Sequence, residues 1–266
     1  MNHLELKMVG LLRKMKSEYN VAGIKAEFEA EGTRLEEAMR LKDVASQAGL
    51  GLNIKIGGCE AIKDMFDAMS LGAERIIGPM IETPYALKKF INASRIAFVE
   101  RIENIELLAN IETEVAYNNF DEMLRIPEIT NLKGIVIGRV DMVGSMGMSR
   151  DSINSEKILN MSLALAKKAK EKGLDVVVGG GVSVDSISFF QAFPKGHLDR
   201  FETRKVVFQC PAAIHNPEAA FLHAVEFELM WLKNKQNYYT AIAQEDNARI
   251  KLMEERYQKG IQKIKD

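Results

Sequence analysis

The feature that most constrains this chain is a repetition, through its first 210 residues, of a short apolar run followed by a helical pattern. After an amphipathic first helix, "VAGIKAEFEA" gives way to "TRLEEAMRLKDVASQAG", "LGLNIKIGG" to "CEAIKDMFDAMSLG", and "AERIIGPMI" to a helix from Thr83 to about Phe98. The series continues with a strand near 107–112, a helix from about 114 to 125, a strand at 134–141 and a helix at about 155–172. The strand "LDVVVGGGV", a helix near 185–193 and the strand "RFETRKVVF" complete it. Such alternation builds a parallel sheet covered by helices. Seven strand candidates result, and "IAFVERI" at 96–102 reads either as an eighth or as the end of its helix. Seven or eight units in about 190 residues suit an α/β fold of the (β/α)8 TIM-barrel type, regular or irregular, better than a doubly wound sheet. No Gly-x-Gly-x-x-Gly follows a strand and no Walker sequence occurs, which weakens dinucleotide and nucleotide readings.

Beyond Pro211 the pattern becomes one or two long helices, so a barrel over 1–210 carries a helical extension over 211–266. Phe221, Leu222, Val225, Leu229 and Trp231 exceed what one face of a barrel helix needs, and the expectation is that this tail packs on the barrel or on a neighbouring copy in a homo-oligomer. With 266 residues, 47% hydrophobic, and no linker, one domain with a sizeable core is expected. Lys and Arg number 36 against 37 Asp and Glu, without a long like-charge block, so nucleic acid is not the expected partner and a small molecule is. No apolar run is long enough to span a bilayer, and the N-terminal stretch mixes acids and bases unlike a secretory signal, so the cytoplasm is the default location. Cys59 and Cys210 alone are too few for a disulfide framework or a cysteine zinc site.

Side chains alternate along a strand, so Lys25, Glu27 and Glu29 share one face of the first strand, Asn53 and Lys55 one face of the second, Asn110 and Glu112 one face of the fourth, and Arg139 and Asp141 one face of the fifth. Helices cover the outside of such a barrel, so these faces turn inward and the interior should be polar. Charges early in strands, such as Glu202 and Arg204, read as a structural network. Glu29, Lys55, Glu112 and Asp141 fall at the C-terminal ends of strands, where this fold keeps its active sites.

A lone strand-end glutamate could simply favour the next helix N-terminus. Two on neighbouring strands, about 4.8 Å apart, repel unless something positive lies between them. Oxygen ligands with no nearby cysteine or histidine point to Mg2+ or Mn2+, with water and substrate completing the shell. Gly138 in "GIVIGRVDMVGSMG" and the glycines of "KIGGCEA" put pliable backbone at strand ends, where N–H groups can hold a substrate carboxylate, although most such glycines are ordinary turns.

"PMIETPYAL", "NIETEVAYNNFDEML" and "GIVIGRVDMVGSMGM" together resemble the HpcH/HpaI aldolase and citrate lyase family, from about residue 21 to about 210. The resemblance implies a (β/α)8 barrel, an oligomer that exchanges C-terminal helices, and a carbon–carbon bond made or broken beside a pyruvate-like or thioester enolate. It makes Glu112 and Asp141 the metal ligands. Many relatives place an arginine where this chain has Lys55, which keeps the charge, loses the bidentate fork, and leaves a Schiff-base role open. The acid–base histidine often found after the first strand is missing from "IKAEFEAEGTR", so Glu29 or Glu27 takes its place. His215 is a further candidate, though more readily a helix N-terminal histidine, and His197 belongs at the opposite end of the barrel. Arg139 stands where many relatives have proline and would bind a second carboxylate or phosphate, or pair with Glu27 or Glu202.

The leading expectation is a metal-dependent aldolase acting on a 2-oxo acid and an aldehyde. A citrate-lyase-like enzyme of an acyl-CoA thioester would need a basic surface, for which only Lys88, Lys89 and Arg95 offer themselves. A barrel that binds metal without turnover is the third reading.

Overall fold

The computed structural model describes residues 1–99, 104–214 and 217–265. Helix α1 (His3–Tyr19) leads into β1 (Val21–Glu27), followed by α2 (Leu35–Gln47), β2 (Leu52–Lys55), α3 (Ile62–Ser70), β3 (Arg75–Gly78) and α4 (Pro84–Ala97). Next come β4 (Glu106–Ile111), α5 (Glu114–Met123), β5 (Gly134–Gly138), α6 (Arg139–Ser145), α7 (Glu156–Glu171), β6 (Asp175–Gly179) and α8 (Ile187–Gln191). The chain ends with β7 (Arg200–Glu202), β8 (Val206–Gln209) and α9 (Pro217–Lys265). The strands close into a barrel in sequence order, parallel from β1 to β7, with β8 antiparallel to both of its neighbours.

The eighth strand arises where the sequence reads as one run. "RFETRKVVF" folds back on itself: the Thr203 N–H donates to the Val206 carbonyl at 2.9 Å, and the Thr203 hydroxyl accepts from the Val206 N–H at 3.1 Å. This turn has no glycine or proline, so nothing in its composition marks it. The described part of "IAFVERI" is no strand: Ile96 and Ala97 finish α4, and residues 100–102 lie outside the described residues. Because the hairpin reverses direction, Glu202 and Arg204 stand at the end of β7 and in the turn beyond it, not early in a strand.

The barrel interior is layered. At one end Arg200 reaches Asp175 at 3.0 Å and Glu106 at 3.5 Å, with Arg75 2.5 Å from Glu106. Ile77, Leu108, Val136 and Val177 form an apolar cluster of their own above this plug. At the C-terminal ends of the strands charges return, with Lys25, Glu27, Lys55, Glu112 and Glu202 all buried. Outward residues such as Ile24, Ile54, Ile76, Ile135 and Val176 join the main core under the helices.

A column of aromatic rings ties the last elements together: Phe190 of α8 stacks on Phe201 at 4.7 Å, Phe201 on Phe208 at 4.9 Å, and Phe221 of α9 lies 5.6 Å from Phe201. Helix α9 buries Ala220, Phe221, Ala224, Phe227, Trp231 and Asn234, one face at helical spacing. Phe221 and Trp231 are thus buried within this chain, Phe221 against Phe201 of the barrel. Asn234 locks to Asn2 and Glu5 of the α1 N-terminus, and Tyr239 and Lys235 to Glu37. The helix then runs on exposed from 240 to 259. Among the described residues no helix is long and apolar enough to cross a membrane.

Candidate active site at the barrel mouth

Glu112 is the single residue between β4 and the N-cap of α5. Thr113, extended in backbone, accepts from the Ala116 N–H at 3.1 Å and donates its hydroxyl to Glu82 at 2.7 Å, so the helix starts there and the Glu112 side chain is left in the mouth. That side chain crosses Gly138 so closely that a Cβ there would sit 2.6 Å from the Glu112 Cβ. Glu112 is 1% exposed. One of its oxygens accepts from the Met80 N–H at 2.9 Å, and the other from Asn110 at 2.6 Å and from Lys55 at 3.3 Å. Met80 holds the left-handed conformation, φ 49°, that brings its N–H into place. Burial pushes Glu112 above the usual carboxylate range; Lys55 and Met80 oppose the rise, and the charge of Asp141 adds to it.

Asp141 reaches the same mouth by another route. β5 ends at Gly138, and Asp141 lies in the first turn of α6. Arg139 and Asp141 thus do not share a strand face, because the backbone turns helical between them. The Arg139 side chain is wholly buried away from the cleft and donates to the Gly179 and Gly180 carbonyls at 3.2 and 3.0 Å, to Asn154 at 2.5 Å and to Ser186 at 3.2 Å. Its guanidinium lies 4.8 Å from the Phe189 ring, and burial pulls it down to about 10. It touches neither Glu27 nor Glu202, and with those donors engaged it does not reach the substrate space.

Lys55, the last residue of β2, stands 2.9 Å from Glu29 and 3.3 Å from Glu112. Burial pulls its ammonium down, but Glu112, with Glu29 and Glu27 behind it, outweighs burial and holds Lys55 above the ordinary lysine range. Glu29 lies beyond the end of β1, in a loop pinned by Glu31 to the buried Lys205. Glu27 is 3.0 Å from Lys25, which is also 2.7 Å from Glu202. Burial pushes Glu27 up, yet Lys25 prevails and holds it below the usual range. His215 lies outside the described residues, and His197 precedes β7 on the surface, apart from the cleft. Lys88, Lys89 and Arg95 of α4 are engaged with Glu128, Glu60 and Asn131, and none lines the cleft.

These groups surround a cleft of about 720 Å3. Its walls carry seven carboxylates (Glu27, Glu29, Glu112, Asp141, Glu202, Glu218, Glu228) against four cations (Lys25, Lys55, Arg150, Arg204). That excess suits a divalent cation. The buried Oδ1 of Asn110 has no hydrogen-bond partner among the described residues, and it lies beside Glu112, where it would accept from a cation-held water or a substrate hydroxyl. Among the described residues no three His, Cys, Asp or Glu converge as a ligand set, so Glu112 and Asp141 would leave most positions around a cation to oxygens of water and substrate. The sequence places Asn110 on the inward face with Glu112, and marks Phe221, Leu222 and Val225 as surplus apolar residues, but it gives none of them a role in the site, and no local pattern marks Met80.

A sequence profile of the HpcH/HpaI aldolase/citrate lyase family matches residues 34–187, more than half of the chain. The chain belongs to that family. Its kind is therefore that of an enzyme, an aldolase or lyase. The fold agrees with two solved structures. One is an HpcH/HpaI aldolase from Desulfitobacterium hafniense DCB-2, at TM-score 0.60 and 13% identity over 72% of this chain and 80% of that one. The other is an HpcH/HpaI aldolase/citrate lyase family protein from Burkholderia cenocepacia J2315, at 0.58 and 12% over 90% of each. No curated protein sequence matches. Identities this low speak for the shared barrel alone, and the family assignment rests on the profile.

Proposed function

We propose that this protein is a divalent-metal-dependent carbon–carbon lyase that splits a 4-hydroxy-2-oxo acid into pyruvate and an aldehyde, or joins them in the reverse direction. The observation that carries this reading is the juxtaposition of Glu112 and Asp141 beside a lysine held as an ammonium, in a mouth rich in carboxylates. Glu112 and Asp141 would hold Mg2+ or Mn2+, which when bound supplies a Lewis acid to the keto and carboxylate oxygens of the substrate. Lys55 adds a fixed positive charge beside the enolate oxygen as it develops. Gly138, which lines the cleft, leaves room for the Glu112 side chain to lie across it.

Glu29 takes the proton of the 4-hydroxyl while the C3–C4 bond breaks. The O–H electron pair becomes the second bond of the aldehyde carbonyl, the C3–C4 pair moves between C2 and C3 to form the enolate, and a proton returned to C3 gives pyruvate. Both glutamates pair with a lysine, Glu29 with Lys55 and Glu27 with Lys25, and Glu29 suits this task better because its side chain is the more exposed to the cleft. The same reading includes a homo-oligomer joined through α9, supported by exposed Leu229, Leu232, Ile250, Met253, Tyr257 and Ile264, which recur at three-, four- and seven-residue steps or their multiples.

The test is pyruvate release from 4-hydroxy-2-oxo acids by EDTA-treated protein with and without Mg2+ or Mn2+. Activity should require metal and fall by roughly 10³-fold or more in Glu112→Gln and Asp141→Asn. Activity that survives EDTA and both substitutions would overturn the metal site.

A further inference from the structure

The cleft is larger than the chemistry at its inner end requires. Its 720 Å3 matches pockets that enclose drug-sized molecules, about 300–1,000 Å3, whereas pyruvate joined to a small aldehyde would fill a fraction of it. Part of the lining comes from the α9 side of the mouth. β7 turns straight back into β8, so no helix stands between those strands, and the cleft passes across Thr203 and Arg204 to the side of α9.

That arm is apolar. Val182 and Val184, from the loop after β6, line it together with Phe221, Leu222 and Val225 of α9. Val184, Leu222 and Val225 remain 47%, 69% and 63% exposed, so this chain leaves them uncovered. The charges at the border answer one another, Arg204 lying 3.7 Å from Glu228 and 3.9 Å from Glu31. An apolar wall continuous with a reaction centre fits another part of the same substrate. Along that strip each methylene gains by leaving water, whereas a hydroxyl held against the valines and Phe221 gives up water for no partner.

We propose that this arm is the subsite for a long aliphatic chain on the aldehyde-derived half of the substrate. The assignment rests on the lyase reading above. It makes the substrate an alkyl-substituted 4-hydroxy-2-oxo acid, not a sugar-like one.

The experiment uses the full chain with added Mn2+ and compares kcat/KM for 4-hydroxy-2-oxo acids whose C4 substituent grows from methyl to heptyl, with a polyhydroxylated compound of matched length. The value should rise about fourfold per methylene until the arm is filled. Val184→Asp and Val225→Asp should each lower the heptyl-to-methyl ratio at least tenfold. Turnover of the methyl compound with a flat series, preference for the polyhydroxylated compound, or an unchanged ratio in the variants overturns the subsite and leaves the lyase reading standing. If no compound is turned over, the lyase reading falls, and calorimetric titration with 1-octanol decides the subsite by itself. Binding that weakens at least tenfold in both variants supports it, and absent or equal binding overturns it.

Discussion

Lys55 separates two chemistries by one proton. A Schiff-base lysine must lose its charge, yet Lys55 lies against Glu29 and Glu112 and is held protonated. Lys55→Met should therefore reduce pyruvate release by about 10²–10³-fold, as loss of a preorganised charge does, while borohydride added with pyruvate leaves the wild-type Lys55 peptide unmodified in mass. A reduced adduct on that peptide would refute the charge role. Glu27 makes a pH-dependent prediction. Its folded value is depressed below the ordinary 4.5, so its contribution is full above that value and is lost as pH falls through the lower folded value. In urea titrations Glu27→Gln should be less stable than wild type by about 2 kcal/mol at pH 7, and the gap should narrow as the pH is lowered below 4.5. A gap that stays constant across this range would count against the Lys25 pairing. At this scale Glu112 and Lys55 were readable because each follows an apolar run at a strand end. Arg139 was not, since the change from strand to helix falls directly before it and sends its side chain out of the mouth.

Elements show the same division. The helix starts at Thr83 and Thr113 follow from capping chemistry, and both threonines cap as their sequence context suggests. The β7–β8 turn was hidden because Glu-Thr-Arg-Lys lacks the residues that announce a hairpin, and its reversal rests on Thr203 and on an antiparallel place between β7 and β1 that only the closed barrel supplies. Thr203→Val should cost about 1 kcal/mol in chemical denaturation by removing the hydroxyl that receives the Val206 N–H. No loss of stability would mean that strand pairing alone shapes the turn. The hairpin also bears on function, since it opens the wall through which the apolar arm leaves the mouth.

For the whole molecule, α9 has two parts with different duties. Its 49 residues extend roughly 74 Å at about 1.5 Å per residue, far beyond the barrel it packs on. Deleting residues 241–266 keeps the buried face through Asn234 and Tyr239, so the melting temperature of the barrel should fall by no more than about 4 °C. If the proposed oligomer forms through α9, light scattering should show a smaller assembly for the truncated chain than for the full one; an unchanged mass would exclude this segment as the contact. What the sequence determined by itself was whatever local periodicity and covalent order encode: alternating strands and helices, a barrel in place of an open sheet, ionic strand faces turned inward, and Glu112 as a strand-end carboxylate. The tertiary structure alone decided the eighth strand, the outward course of Arg139, the grip of Lys25 on Glu27 and the wall that α9 lends to the cleft. Apart from the Lys25–Glu27 pair, whose members share a strand face, each depends on groups distant in sequence that meet only when the barrel closes, where burial and neighbouring charge, not local propensity, set conformation and protonation.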